Sequence, residues 1–144
     1  MLKRKAFTGM VNYLIRAYSG ISAPTQRSVN SRISRKLPVW IAEKRFCLSE
    51  TLIQVAEYFG ASEEELSYYF ATVVGERFTT FRKRLRLEEA RQIIRDNPEL
   101  RILVVANMVG IVDKCNFRKQ FFAMYGYSPS EWQKKCLEAR RGSK

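Results

Sequence analysis

The residue best placed for covalent chemistry is Cys115, the one candidate nucleophile, on an electropositive helix. A thiol nucleophile also needs a base to activate it, and the chain contains no histidine. The same absence removes the commonest metal ligand. Cys47, Cys115 and Cys136 are widely spaced and form no C-x-x-C pair. They read as reduced thiols, with Cys47 simply a small apolar residue. No catalytic residue, metal, cofactor or small-molecule site is therefore expected in this chain. What remains is non-covalent chemistry. Lys and Arg number 26 against 14 Asp and Glu, a net charge of +12, which implies polyanionic partners.

The charge is unevenly placed. Residues 1–45 carry a net +9, residues 46–75 carry five acids and no base, residues 76–100 carry +2 and residues 101–144 carry +6. With 46% apolar residues in 144, the chain can bury a core as one domain, or one domain plus an extension. No apolar run approaches the roughly 18 residues of a membrane span, so a cytoplasmic protein is expected.

A pattern that occurs twice organises the rest. Ala56, Gly60, Leu66, Phe70 and Gly75 are answered by Ala106, Gly110, Phe117, Phe121 and Gly126, at an offset of 50 for the first two pairs and 51 thereafter. The match continues from Phe78 and Phe81 to Pro129 and Trp132. A small residue that packs helix on helix, a glycine turn and an apolar stripe returning to the core are the plan of a helix-turn-helix. Two such units in a very basic chain point to DNA gripped in two places.

The elements that must position these residues are all helical. Thr51 with Gln54, Ser62 with Glu65, and Ser128-Pro129-Ser130-Glu131 are capping boxes that open helices. Leu52, Val55, Ala56 and Phe59 form one buried stripe, and Leu66, Tyr69, Phe70 and Val73 another. A long helix is predicted from about Thr79 to Arg95, burying Phe81, Leu85, Ala90, Ile93 and Ile94, and stopped by Asp96-Asn97-Pro98. A further unit runs from about Arg101 to Val109, turns at Gly110 and resumes from Asp113 to Tyr125. Pro38 suits the first turn of a short helix through Phe46. The result is an all-α chain of about seven helices, as two helix-turn-helix units joined by a long linker helix. At roughly 1.5 Å per residue the linker is about 25 Å long, which could set two recognition helices near 34 Å apart, one duplex turn.

Residues 1–36 read as a basic N-terminal extension before a domain over 37–144. Leu2 to Tyr18 could form a short amphipathic helix that Gly9 weakens, and Ser19 to Lys36 reads as a flexible linker. The segment reads as a solvated basic tail near DNA in preference to a transit peptide, whose composition it shares, and it could equally be the cytoplasmic flank of a membrane anchor lying outside this chain.

From Leu37 to Lys135 the chain resembles the DNA-binding domain of the AraC/XylS family of bacterial transcription regulators. The resemblance is carried by Arg84-Leu85-Arg86-Leu87-Glu88-Glu89-Ala90 in the linker helix and by Gly126-Tyr127-Ser128-Pro129-Ser130-Glu131-Trp132. It implies a DNA-binding transcription regulator that reads adjacent major-groove segments of double-stranded DNA and recruits or blocks RNA polymerase. Many members carry a separate sensor domain, for which residues 1–36 are too short.

The resemblance places the second recognition helix over Asp113-Lys114-Cys115-Asn116-Phe117-Arg118-Lys119, with base contacts at Cys115, Asn116 and Lys119. Asn can pair with adenine through two bonds, and Lys can donate to guanine. Lys119 stands where Arg is usual and lacks its forked geometry. Lys114, Arg118 and Lys119 are read as contacts to DNA rather than as a solvated helix face. In the first unit the base-contact positions are Glu64, Ser67 and Tyr68. Glu63, Glu64 and Glu65 suit a helix N-terminus but oppose the phosphate field, so the second unit is expected to dominate. Arg82, Lys83, Arg84 and Arg86 are candidate phosphate contacts, with one or two expected to pair with Glu88 or Glu89. Arg101 and Ile111 depart from the family's capping Ser or Thr and its Phe, and Phe122 is expected to be exposed. The alternative is a degenerate member acting mainly as a protein-interaction module, with weak DNA binding.

Overall fold

The computed structural model describes residues 23–143, together with the isolated positions Asn12 and Leu14. Apart from those two positions, the readings made for residues 1–22 lie outside it. The described residues hold seven α-helices and no strand: α1 (Ala23–Ala42), α2 (Leu52–Phe59), α3 (Glu63–Tyr69), α4 (Phe78–Asp96), α5 (Ile102–Met108), α6 (Lys114–Tyr125) and α7 (Pro129–Gly142). A 3-10 turn at Arg45–Cys47 and a π-helical turn at Phe70–Val74 complete the set. The helices form two compact units. The first takes α1 to α3 and the start of α4 up to Arg82; the second takes the chain from Lys83 with the short segment Phe46–Leu48.

In the first unit, α2 opens on a complete capping box at Thr51 and Gln54 and closes on Gly60 at φ 67°. A second box at Ser62 and Glu65 opens α3. Each box satisfies two backbone donors that the first helical turn leaves without partners. The helices bury Val55, Ala56, Phe59, Leu66, Tyr69 and Phe70 against Trp40 of α1. Phe78 at the start of α4 lies 5.8 Å from the Trp40 ring and 5.2 Å from that of Phe70. Full burial of an aromatic of this size stabilises by about 1.5–3 kcal/mol, so this cluster is the main hold on the unit. The Ser34 and Tyr69 hydroxyls, 2.8 Å apart, tie α1 to α3.

Three details differ from the expectation. First, α1 begins at Ala23 rather than near Leu37, so residues 23–36 are helix rather than flexible linker, and Pro38 lies inside the helix. Val29, Ile33, Leu37 and Trp40 fall at i, i+4, i+8 and i+11, and three of the four are buried. That stripe supplies tertiary burial enough to carry a proline that removes one helical donor. Second, Val73 is 54% exposed. The Gly75 N–H reaches back five residues to the Phe70 carbonyl at 2.8 Å, and this wider π turn leaves Val74 half-buried in place of Val73. Third, Leu87 is the buried leucine of α4, whereas Leu85 is half-buried.

The second unit repeats the first. Ala106, Phe117 and Phe121 are fully buried, as Ala56, Leu66 and Phe70 are. Gly110 and Gly126 take φ of 83° and 78°, matching 67° and 87° at Gly60 and Gly75. Gly110 is fixed by space as well as by its left-handed backbone, because a Cβ there would collide with the Cys47 carbonyl oxygen. Leu87, Ala90 and Ile94 of α4 complete the core with Val105, Val109 and Ile111. Asp113 caps α6 by accepting from the Asn116 N–H at 2.8 Å, whereas Arg101 caps α5 with no side-chain bond. The box at Ser128 and Glu131, with Pro129 at the first helical position, opens α7. Trp132 and Tyr127 stack at 5.6 Å, and the Arg91 guanidinium lies 4.6 Å from the Trp132 ring centre. No helix among the described residues is long and apolar enough to cross a membrane.

Candidate nucleic-acid interface

The residues singled out in the second unit all lie on α6 outside its buried stripe, with Cys115, Asn116 and Lys119 roughly opposite it and Lys114 and Arg118 flanking it. Phe117 and Phe121 are buried, while Lys114, Cys115, Asn116, Arg118 and Lys119 are all exposed. At about 100° per residue, Cys115, Lys119 and Phe122 follow one line along the helix, and Phe122 is 54% exposed. Lys114, Arg118 and Lys119 have no acidic partner among the described residues. Three exposed cations around this helix, with no acidic partner among the described residues, present positive charge that can meet phosphate, and Asn116 can donate and accept hydrogen bonds.

α3 presents the opposite electrostatics. Glu63, Glu64 and Glu65 fill its first turn. Glu65 is committed to the cap, its carboxylate accepting from the Ser62 N–H at 3.1 Å. Glu64 is exposed, and Ser67 and Tyr68 are half-buried. Three carboxylates at a helix start suit the dipole, worth about 0.3–1 kcal/mol each when exposed, and repel a phosphate backbone.

The four basic residues at the start of α4 divide by task. Arg82 donates to the Glu50 carbonyl at 2.8 Å and lies 5.2 Å from the Phe78 ring centre. Burial pushes its guanidinium below its ordinary pKa, with Glu50 pulling it back up. Arg86 gathers three carbonyl oxygens: Phe46 at 2.5 Å, Leu48 at 2.8 Å and Gly110 at 3.3 Å. These two arginines are engaged by backbone carbonyls. Arg84 pairs with Glu88 at 3.3 Å, the pairing expected on this helix. Lys83 is exposed, which leaves it the best placed of the four to meet an anion.

Two features were not read from the sequence. One is the tie between Gln120 and Asn116, whose i, i+4 spacing was the available signal. The other is the carbonyl cradle around Arg86, for which no local signal exists because its acceptors lie 24 to 40 residues away.

A family of helix-turn-helix domains matches residues 55–135, more than half of the chain. No curated protein matches it in sequence. Among solved structures, the chain is similar to the C-terminal domain of the two-component response regulator yesN from Fusobacterium nucleatum, at 25% identity and a TM-score of 0.62, covering 69% of this chain and 97% of that one. It is also similar to an AraC-type DNA-binding domain-containing regulator from Chromobacterium violaceum, at 18% identity and a TM-score of 0.63, covering 80% and 96%. A DNA-binding transcriptional dual regulator from Escherichia coli K-12 matches at 18% identity and a TM-score of 0.59, covering 83% and 97%. Fold and family are those of regulators rather than enzymes. The chain thus belongs to the AraC/XylS-type helix-turn-helix family of DNA-binding transcription regulators.

Proposed function

We propose that this chain binds double-stranded DNA sequence-specifically through its two helix-turn-helix units, and that the second unit supplies most of the discrimination. The observation that carries this reading is the contrast between the two recognition helices. α6 exposes Lys114, Arg118 and Lys119 without acidic partners among the described residues, whereas α3 opens on three glutamates. Lys114, Arg118 and Lys83 would supply phosphate contacts that position the protein, and Cys115, Asn116 and Lys119 would face base edges. Glu64, Ser67 and Tyr68 would contribute less, because a carboxylate near the backbone loses more to repulsion than a single bond to cytosine returns.

Selection of duplexes from a randomised pool tests the ranking. Lys119→Ala is expected to flatten the base profile at one position, and Glu64→Ala to leave it nearly unchanged. The reverse result would assign specificity to the first unit.

A second reading is favoured by the 54% exposure of Phe122 in the second unit and, separately, by the acidic first turn of α3 in the first. In it the chain is mainly a protein-interaction module with weak DNA binding. Because Glu65 also holds the cap, Glu63→Lys with Glu64→Lys is the discriminating pair. A sharp rise in DNA affinity together with loss of a protein partner would favour the interaction module.

A further inference from the structure

Gln120 stands one turn beyond Asn116 on α6, and its Nε2 donates to Asn116 Oδ1 at 3.0 Å. Gln120 is half-buried, and its Oε1 is enclosed with no hydrogen-bond partner among the described residues, so the end of this side chain is held by the protein. Asn116 is also held from its other side, its backbone N–H donating to the Asp113 carboxylate at 2.8 Å. We propose that Gln120 is a positioning residue that sets base preference by fixing which end of the Asn116 carboxamide faces outward; this rests on the placement of Asn116 at a base edge proposed above.

An untethered Asn recognises adenine by accepting from N6 through Oδ1 while donating to N7 through Nδ2. In this chain Oδ1 is turned toward Gln120, which leaves Nδ2 as the outward donor and only the second lone pair of Oδ1 for a base. A donor suits guanine N7 and O6, adenine N7 and thymine O4, and it is mismatched with the cytosine amino group. The bond from adenine N6 to Oδ1 is poorly aimed in this orientation, which removes most of the two-bond advantage of adenine. Asn116 would then treat adenine and guanine alike and reject cytosine. An i, i+4 amide pair also steadies a helix modestly, but that role is indifferent to the base opposite Asn116.

The test is base preference, measured with the full chain by duplex selection for the wild type, Asn116→Ala, Gln120→Leu and Gln120→Glu, with circular dichroism to verify folding. Asn116→Ala locates the affected base pair. At that pair the wild type should show no preference between adenine and guanine. Gln120→Leu releases Oδ1 and should favour adenine over guanine by about fivefold or more. The carboxylate introduced by Gln120→Glu can only accept, so it should draw Nδ2 inward and turn Oδ1 outward. Preference should then swing to bases offering an amino donor, cytosine and adenine. A wild-type adenine preference that Gln120→Leu leaves unchanged would overturn the tether while sparing the role of Asn116. If Asn116→Ala itself alters no position although duplex binding persists, the tether and the placement of Asn116 fall together.

Discussion

Arg91 and Trp132 hold each other twice. The Trp132 indole N–H donates to the Arg91 carbonyl at 3.0 Å, and the Arg91 guanidinium sits 4.6 Å from the Trp132 ring centre. Arg91 Nε also donates to the Tyr127 hydroxyl at 2.9 Å. Helix α7 is thereby fastened to α4 at the end of the second repeat.

This arrangement predicts that the guanidinium's plane matters as much as its charge. Arg91→Lys keeps the cation but loses the fork that serves ring and hydroxyl together. It should cost about 1–2 kcal/mol in denaturant unfolding. An equal stability for wild type and Arg91→Lys would show that the contact is only electrostatic.

The division of the α4 bases yields a paired prediction. Arg86→Met strips donors from the Phe46, Leu48 and Gly110 carbonyls and should destabilise by about 2–4 kcal/mol, since hydrogen bonds to charged groups are worth about 1.5–3 kcal/mol each and part of the loss is recovered by water. Lys83→Met should leave the melting temperature unchanged and lower the salt slope of DNA binding by about one. The opposite pattern would return Arg86 to the phosphate backbone.

Tyr125 gives the molecule a pH signature. Burial, with Glu88 and Tyr127 nearby, raises its phenol above the usual 10.0, and Arg91 opposes them. The folded state therefore keeps this proton to a higher pH than the unfolded chain. The associated stability is complete below pH 10 and is lost as pH rises through the folded value. Chemical denaturation between about pH 9 and 11.5 should show a steeper loss in the wild type than in Tyr125→Phe. Parallel curves would mean the phenol is not perturbed.

Much of the fold was legible because its signals are local. The boxes at Thr51, Ser62 and Ser128 each lie within four residues, and all three form. The repeated glycines occupy the left-handed backbone that their spacing implied. What could not be read depends on distant partners. The stripe of Val29, Ile33 and Trp40 is diluted by Ser and Arg, so residues 23–36 lacked visible periodicity until Phe59 and Phe78 supplied a surface for Trp40. The π turn after Tyr69 shifts the register by one residue and leaves Val73 outside. Of the candidate interface, the exposed cations of α6 follow from the position of Phe117 and Phe121 in the buried stripe. The tasks of Arg82 and Arg86 were hidden, because a carbonyl acceptor leaves no trace in side-chain identity.

The central claim, that α6 meets the DNA backbone with uncompensated positive charge, is tested most directly by a salt titration of duplex binding. The wild type should show a steep negative dependence of log affinity on log salt, and the triple variant Lys114→Ala, Arg118→Ala, Lys119→Ala a slope shallower by roughly 0.9 for each lost phosphate contact. Affinity independent of salt, or a slope that the triple variant leaves unchanged, would contradict it.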